Sequence, residues 1–120
     1  GPLCGKCQTS LFTGQAVALT EATFDAFIKK NELPVVVNFW ASWCGHCRNF
    51  RPVFAEAATL LQYRALLVQI ESEEEPDLLR RFAIKGMPTH ILFRGGLEIA
   101  RQSGAQPLSV FMQWLQKYNL

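Results

Sequence analysis

The run Leu33-Pro-Val-Val-Val-Asn-Phe-Trp40 constrains the fold of this chain more than any other segment. It is β-branched and aromatic, without the polar alternation of a strand that shows one side to water. It therefore reads as a strand buried on both faces, of the kind found inside parallel or mixed sheets. Such a strand needs covering layers on two sides, and the neighbouring segments supply them. Before it, Phe24, Phe27 and Ile28 share one helical face, behind an N-cap at Thr20, with Glu21 in the first turn and Asn31 closing the helix. After it, Phe50, Val53, Phe54, Ala57 and Leu61 repeat at helical spacing, with Pro52 as a kink.

Residues 65–70 and 87–93 read as two further core strands, separated by an acidic turn and a short helix over 76–82. Gly95-Gly96 is a hairpin turn into a strand over 97–102. A last helix starts near Pro107, a residue suited to the first helical turn, and buries Val110, Phe111, Trp114, Leu115 and Tyr118. Strands alternate with helices and then meet in a hairpin. That order predicts an α/β fold: a mixed sheet with parallel central strands and an antiparallel edge, with helices on both faces. The regular pattern occupies residues 17–120, and residues 1–16 read as an irregular N-terminal arm.

Composition narrows what such a domain does. With 49% hydrophobic residues, 18% charged residues and a net charge of +2, the 120-residue chain can bury one core and is not disordered by charge excess. Twelve basic against ten acidic residues leave no electrostatic footprint for nucleic acid or an anionic membrane. No apolar stretch approaches the roughly 18 residues of a membrane helix. A soluble, monomeric domain is expected. The opening Gly1-Pro2 reads as the start of a processed or cloned fragment, native or a tag scar, so the missing signal peptide carries little weight.

Cys44-Gly-His-Cys47 lies where the buried strand gives way to the long helix. A C-x-x-C pair alone serves zinc half-sites and cores as well as redox chemistry. Its placement favours redox chemistry, because a thiol at a helix N-terminus meets unpaired N–H groups and the positive end of the dipole, which stabilise thiolate. The spacing puts both sulfurs on one side of the first turn. His46, when protonated, would stabilise the thiolate further and make the disulfide more oxidising.

Phe39-Trp-Ala-Ser-Trp-Cys-Gly-His-Cys-Arg48, with Met87-Pro-Thr89 and Gly95-Gly96 following in order, resembles the thioredoxin family. The resemblance runs from about Val17 to Leu120. It implies a thiol–disulfide oxidoreductase in which Cys44 attacks a substrate disulfide and Cys47 resolves the mixed disulfide. No cofactor is then needed beyond the Cys44–Cys47 pair itself. Pro88 matches the family's cis-proline, and Trp43, Gly86, Met87 and Gly104 match the rim of its substrate groove. The implied partners are protein disulfides and an NADPH-dependent flavoenzyme, thioredoxin reductase, in a cytoplasm. His90, inside a strand, reads as a solvent-facing or hydrogen-bonded histidine rather than a second acid–base group. The acidic run Glu71-Ser-Glu-Glu-Glu75 reads as a solvated loop and helix start.

Three departures qualify the resemblance. His46 stands where thioredoxins carry Pro, and Cys-Gly-His-Cys, with Gly45 before that histidine, is the pair of protein disulfide isomerases. Asn38 replaces the family's buried acid, thought to take the proton of the resolving Cys. Leu67 replaces the Lys that partners that acid. The alternatives are accordingly an oxidase or isomerase of an oxidising compartment, or a thioredoxin-fold binding module or chaperone. Finally, Leu3-Cys-Gly-Lys-Cys-Gln-Thr-Ser-Leu-Phe12 resembles half of the arm of the second, zinc-containing type of bacterial thioredoxin. There two such knuckles give four thiolates to one zinc. Cys4 and Cys7 offer one knuckle, so zinc is an expectation for a longer parent chain rather than for these residues alone.

Overall fold

The structure is a computed structural model that describes residues 17, 18, 20–30 and 32–120. The expected arm, with Cys4 and Cys7, lies outside the described residues. Nine elements follow in chain order: β1 Val17–Ala18, α1 Glu21–Lys30, β2 Val35–Trp40, α2 Gly45–Leu60, β3 Leu66–Glu71, α3 Pro76–Arg81, β4 Thr89–Arg94, β5 Leu97–Ser103 and α4 Leu108–Gln116. The five strands form one sheet in the order β1-β3-β2-β4-β5. β1, β3 and β2 run parallel, and β4 lies antiparallel to both β2 and β5. The α/β fold with a mixed sheet is as expected. The antiparallel part, however, begins at the centre of the sheet, because β4 returns beside β2 before the hairpin to β5.

Alternate residues of β2 explain why the run carries no polar face. Val35, Val37 and Phe39 pack with Phe24 and Ile28 of α1 and Leu78 of α3. Val36 packs the other way, with Phe50, Phe54, Ala57 and Ala58 of α2 and Phe111, Trp114 and Leu115 of α4. Each inward position is therefore covered by a helix, and a two-sided strand has nowhere to place a solvated residue. Asn38, on the α2/α4 face, is the exception and is 1% exposed.

The local signals read from the chain mostly act as expected. At α1 the Thr23 hydroxyl accepts the Thr20 N–H at 3.2 Å, and the Thr23 N–H reaches the Thr20 carbonyl at 3.1 Å, closing the first turn. Gly95 and Gly96 turn the β4–β5 hairpin with φ of 61° and 83°, values that a side chain would resist. Two expectations need correction. Pro107 is the N-cap of α4 rather than a residue of its first turn, and Val110 is exposed while Phe111, Trp114 and Leu115 are buried. None of the helices among the described residues is long and apolar enough to cross a membrane.

Candidate active site

β2 ends at Trp40, and a four-residue loop leads straight into α2. Cys44 is the N-cap of that helix, and its sulfur accepts the Cys47 N–H at 3.1 Å. The first N–H groups of a helix have no partner within it, so this donor is free to meet negative charge developing on sulfur. On its other side the Cys44 thiol donates to the Met87 carbonyl at 3.7 Å. Cys44 and Cys47 are both free thiols. They form a small apolar cluster with Ala41, with Trp40 and Met87 packed against it.

The two thiols differ in environment. Cys44 is 6% exposed and Cys47 1%. Burial, and then the hydrogen bond from Cys44, push the Cys47 thiol up to about 12. Cys47 therefore stays protonated until a step removes its proton. Beside Cys44, the ring of Trp43 is 64% exposed, a large apolar surface turned to solvent next to the outer sulfur.

The loop is held from both ends. Arg48 of α2 donates to the Ser42 carbonyl at 2.9 Å, and the Ser42 hydroxyl donates to Glu73 at 3.2 Å. Arg51 lies over the Trp40 ring at 5.1 Å. Opposite, the Met87–Pro88 bond is cis and Pro88 is buried. The Pro88 carbonyl accepts the Gly104 N–H at 2.8 Å, which draws the predicted Gly104 to the predicted Pro88. Gly104 has φ of 107°, so its backbone favours glycine for the turn as well. At Gly45 an added Cβ would meet only Arg48, at 3.8 Å, and at Gly86 nothing within 4 Å, so packing demands glycine at neither position. His46 is exposed on the first turn of α2.

Residues 44, 47, 87, 88 and 104 are thus brought together, with Trp43 at their edge. Ser72, not singled out from the sequence, donates its hydroxyl to the Met87 sulfur at 3.2 Å. The acidic run is solvated at Glu73 and Glu74, as read, but Ser72 inside it is buried. Among the described residues no group of three or more His, Cys, Asp or Glu is placed to hold a metal ion.

Of its two readings, His90 is the hydrogen-bonded histidine and not the solvent-facing one. It is fully buried, its ring stacked on Phe50 at 4.4 Å and edge-on to Phe111 at 5.2 Å. Its Nε2 lies 3.1 Å from the Gly104 carbonyl, so Nε2 carries the proton and donates, and Nδ1 is left as an acceptor. Burial pushes this histidine down to about 4, from 6.5. Between those values the unfolded chain binds a proton that the folded chain refuses. Its contribution to stability is therefore complete above about pH 6.5 and is lost as the pH falls towards 4, on the order of 3 kcal/mol in all. Urea unfolding of wild type and His90→Leu across that window should show the acid loss shrinking by about this amount in the variant. An identical pH dependence would show that His90 does not titrate on unfolding.

Comparison with known proteins gives a consistent result. A family profile described as thioredoxin matches residues 15–117. Thioredoxin C-3 of Corynebacterium nephridii is 35% identical over 116 residues, 97% of this chain and 79% of its own length. Thioredoxin 1 of a Nostoc species is 33% identical over 103 residues, 86% and 96% of the two chains. A bifunctional thioredoxin reductase/thioredoxin of Mycobacterium leprae is 34% identical over 93 residues, 78% of this chain and 20% of that protein.

Proposed function

Because the chain belongs to the thioredoxin family of thiol–disulfide oxidoreductases, we propose that this enzyme reduces protein disulfides through Cys44 and Cys47. The observation that carries this reading is the asymmetry of the pair. Cys44 is the outer sulfur, at a helix N-terminus beside the exposed Trp43, and Cys47 is the inner one, one turn along. The Cys44 thiolate attacks one sulfur of a substrate disulfide. A Cys44–substrate bond forms, the substrate's S–S bond breaks, and its other sulfur leaves and takes a proton. Cys47 then loses its proton and attacks the Cys44 sulfur. The Cys44–Cys47 bond forms, and the second substrate sulfur leaves. The substrate gains two electrons and two protons, and the protein is left as its disulfide.

Trp43, Gly86, Met87, Pro88 and Gly104 form the surface against which the substrate chain lies, and Gly45 and His46 tune the outer sulfur. Residues 17–120 are the working domain, acting as a monomer. Reduction rather than oxidation is favoured by relatives named as thioredoxins, one of them joined to its reductase. Electrons then come from an NADPH-dependent flavoenzyme in a reducing compartment such as a cytoplasm. A zinc-type arm would need four thiolates, of which Cys4 and Cys7 supply two, so no step here runs through zinc. Insulin reduction driven by dithiothreitol tests the reading: wild type should accelerate it and Cys44→Ser should fall to the uncatalysed rate. Retained acceleration in Cys44→Ser would overturn it.

A further inference from the structure

The turn that follows β3 reaches both walls of the site. Ser72, its first residue, is 5% exposed, and Glu73 beside it lies in solvent. The Ser72 N–H donates to the Trp40 carbonyl at 2.8 Å, which ties the turn to the end of β2, just before the cysteine loop. The Glu74 and Glu75 N–H groups both reach the Glu71 carbonyl at 3.1 Å, and the Glu71 carboxylate accepts the Glu73 N–H at 2.6 Å. The turn is thus closed on itself, and Ser72 is fixed within it. On the wall that carries Cys44, Glu73 accepts the Ser42 hydroxyl at 3.2 Å. On the opposite wall, the Ser72 hydroxyl donates to the Met87 sulfur at 3.2 Å.

A thioether is a weak acceptor, so a hydroxyl taken out of water to meet one recovers only part of its lost hydration. Alanine at position 72 would avoid that cost, so stability alone does not account for the contact. What the hydroxyl can supply is direction. The Met87 side chain is unbranched, with three rotatable bonds. It is half-buried and packs against the cluster of Ala41, Cys44 and Cys47. The backbone around it is already held: the Met87 carbonyl accepts the Cys44 thiol at 3.7 Å, and the Gly86 carbonyl accepts the Thr89 hydroxyl at 2.5 Å. These contacts leave the direction of the thioether open, and the Ser72 hydroxyl is the donor that meets it.

We propose that Ser72 is a positioning residue of the substrate groove: its hydroxyl holds the Met87 thioether in one rotamer, so that the wall beside Cys44 is set before a substrate chain docks. This rests on the redox reading of the Cys44–Cys47 pair and on the substrate lying along Met87. A methionine free to change rotamer has to be immobilised each time a chain docks, and that ordering weakens binding. Fixed beforehand, Met87 presents the same apolar wall to every substrate. The contact therefore lowers KM and leaves the chemistry at sulfur alone. Ser72 is buried and acts through Met87 rather than by meeting the substrate. A protein chain that lies across Met87 feels the loss of the hydroxyl, and a small disulfide that needs only Cys44 does not.

The test uses the full chain with Cys4→Ser and Cys7→Ser, and reads initial rates of dithiothreitol-driven reduction of a fluorogenic insulin against insulin concentration. Ser72→Ala should raise KM about fivefold, which is about 1 kcal/mol, and leave kcat within about twofold. Ser72→Thr, which keeps the hydroxyl, should stay near the parent. Ser72→Val, of the same shape without the hydroxyl, should follow Ser72→Ala. Attack on 5,5′-dithiobis(2-nitrobenzoate), a reagent too small to lie along the groove, should stay within about twofold in all three. In a Met87→Leu background, which has no sulfur to receive the hydroxyl, Ser72→Ala should change KM by less than about twofold further. An unchanged KM in Ser72→Ala would overturn the proposal, as would equal values for Ser72→Thr and Ser72→Val. So would the same rise beside Met87→Leu, or a matching slowing with the small reagent, which would place the effect on Cys44. Should Ser72→Ala not fold, the comparison of Ser72→Thr with Ser72→Val is read alone and decides in the same way. A parent that does not accelerate insulin reduction would overturn the redox reading instead. The contact is then judged without substrate, from the methyl resonances of Met87 and Met112, the chain's two methionines, in isotope-labelled protein. Ser72→Val should move or broaden the Met87 signal relative to Ser72→Thr and leave Met112 in place, and identical spectra would overturn the contact.

Discussion

Replacing Cys47 with Ser should turn a cycling reductase into a covalent trap. In the variant, Cys44 keeps its place at the N-cap of α2, where the N–H of residue 47 still points at its sulfur. Attack on a substrate disulfide therefore proceeds, but no thiol stands one turn away to displace the product. Intramolecular groups held in this way act at effective concentrations of roughly 10⁵ M or more, against millimolar external thiol, so turnover should fall by at least about 1,000-fold. The adduct should accumulate as a mixed disulfide with Cys44, visible by mass and released by dithiothreitol. Cys44→Ser should form none with the same substrate, because Cys47 is buried and its thiol is pushed up to about 12. If Cys44→Ser were the trapping variant, the roles of the two thiols would be reversed. If Cys47→Ser cycled normally, the pair would not act as a pair.

The parts of this arrangement differ in how plainly the chain announces them. β2 and α2 are legible because their apolar residues carry the period: Val35, Val36, Val37 and Phe39, with Asn38 the one polar residue among them, then Phe50, Phe54, Ala57 and Leu61 at helical spacing, all buried. The cysteine pair is legible because it falls where those two periods meet. β4 is harder. Its residues Thr89 to Phe93 are all buried, so the run does not show which side chains face α2 and which face α1. Only the pairing with β2 settles that His90 falls beside Asn38, and pairing is a property of the sheet rather than of the segment. A histidine in such a run could have been read as buried from its neighbours Ile91, Leu92 and Phe93. Its unpartnered nitrogen could not. Val110 reads as buried for a related reason: it lies within the apolar period of α4, yet it is 41% exposed.

Phe111→Ala should cost more stability than any other single truncation on α4, about 3–5 kcal/mol. The residue is fully buried, and its ring meets Phe50 edge-on at 5.1 Å, Phe54 at 6.2 Å, His90 at 5.2 Å and Trp114 at 6.0 Å. It therefore joins α4 to α2 and to the sheet at one point. Its removal leaves a cavity walled by rings whose own backbones are fixed in two helices and a strand, so collapse to fill the space is resisted. Domains of this size are stable by about 5–15 kcal/mol, and the loss would take a large share of that margin. Urea denaturation should show the midpoint falling with little change in slope, and the melting temperature should drop by on the order of 10–20 °C. Trp43→Ala supplies the contrast. Trp43 is larger than Phe111, but 64% of it is exposed, so its truncation should move stability by about 0.5 kcal/mol or less while weakening substrate capture. A loss below about 1 kcal/mol for Phe111→Ala would mean that α4 does not close this core. A large loss for Trp43→Ala would mean that its ring is packed rather than presented to a partner. Size alone does not rank the two substitutions; what decides is whether the ring is already out of water before any substrate arrives.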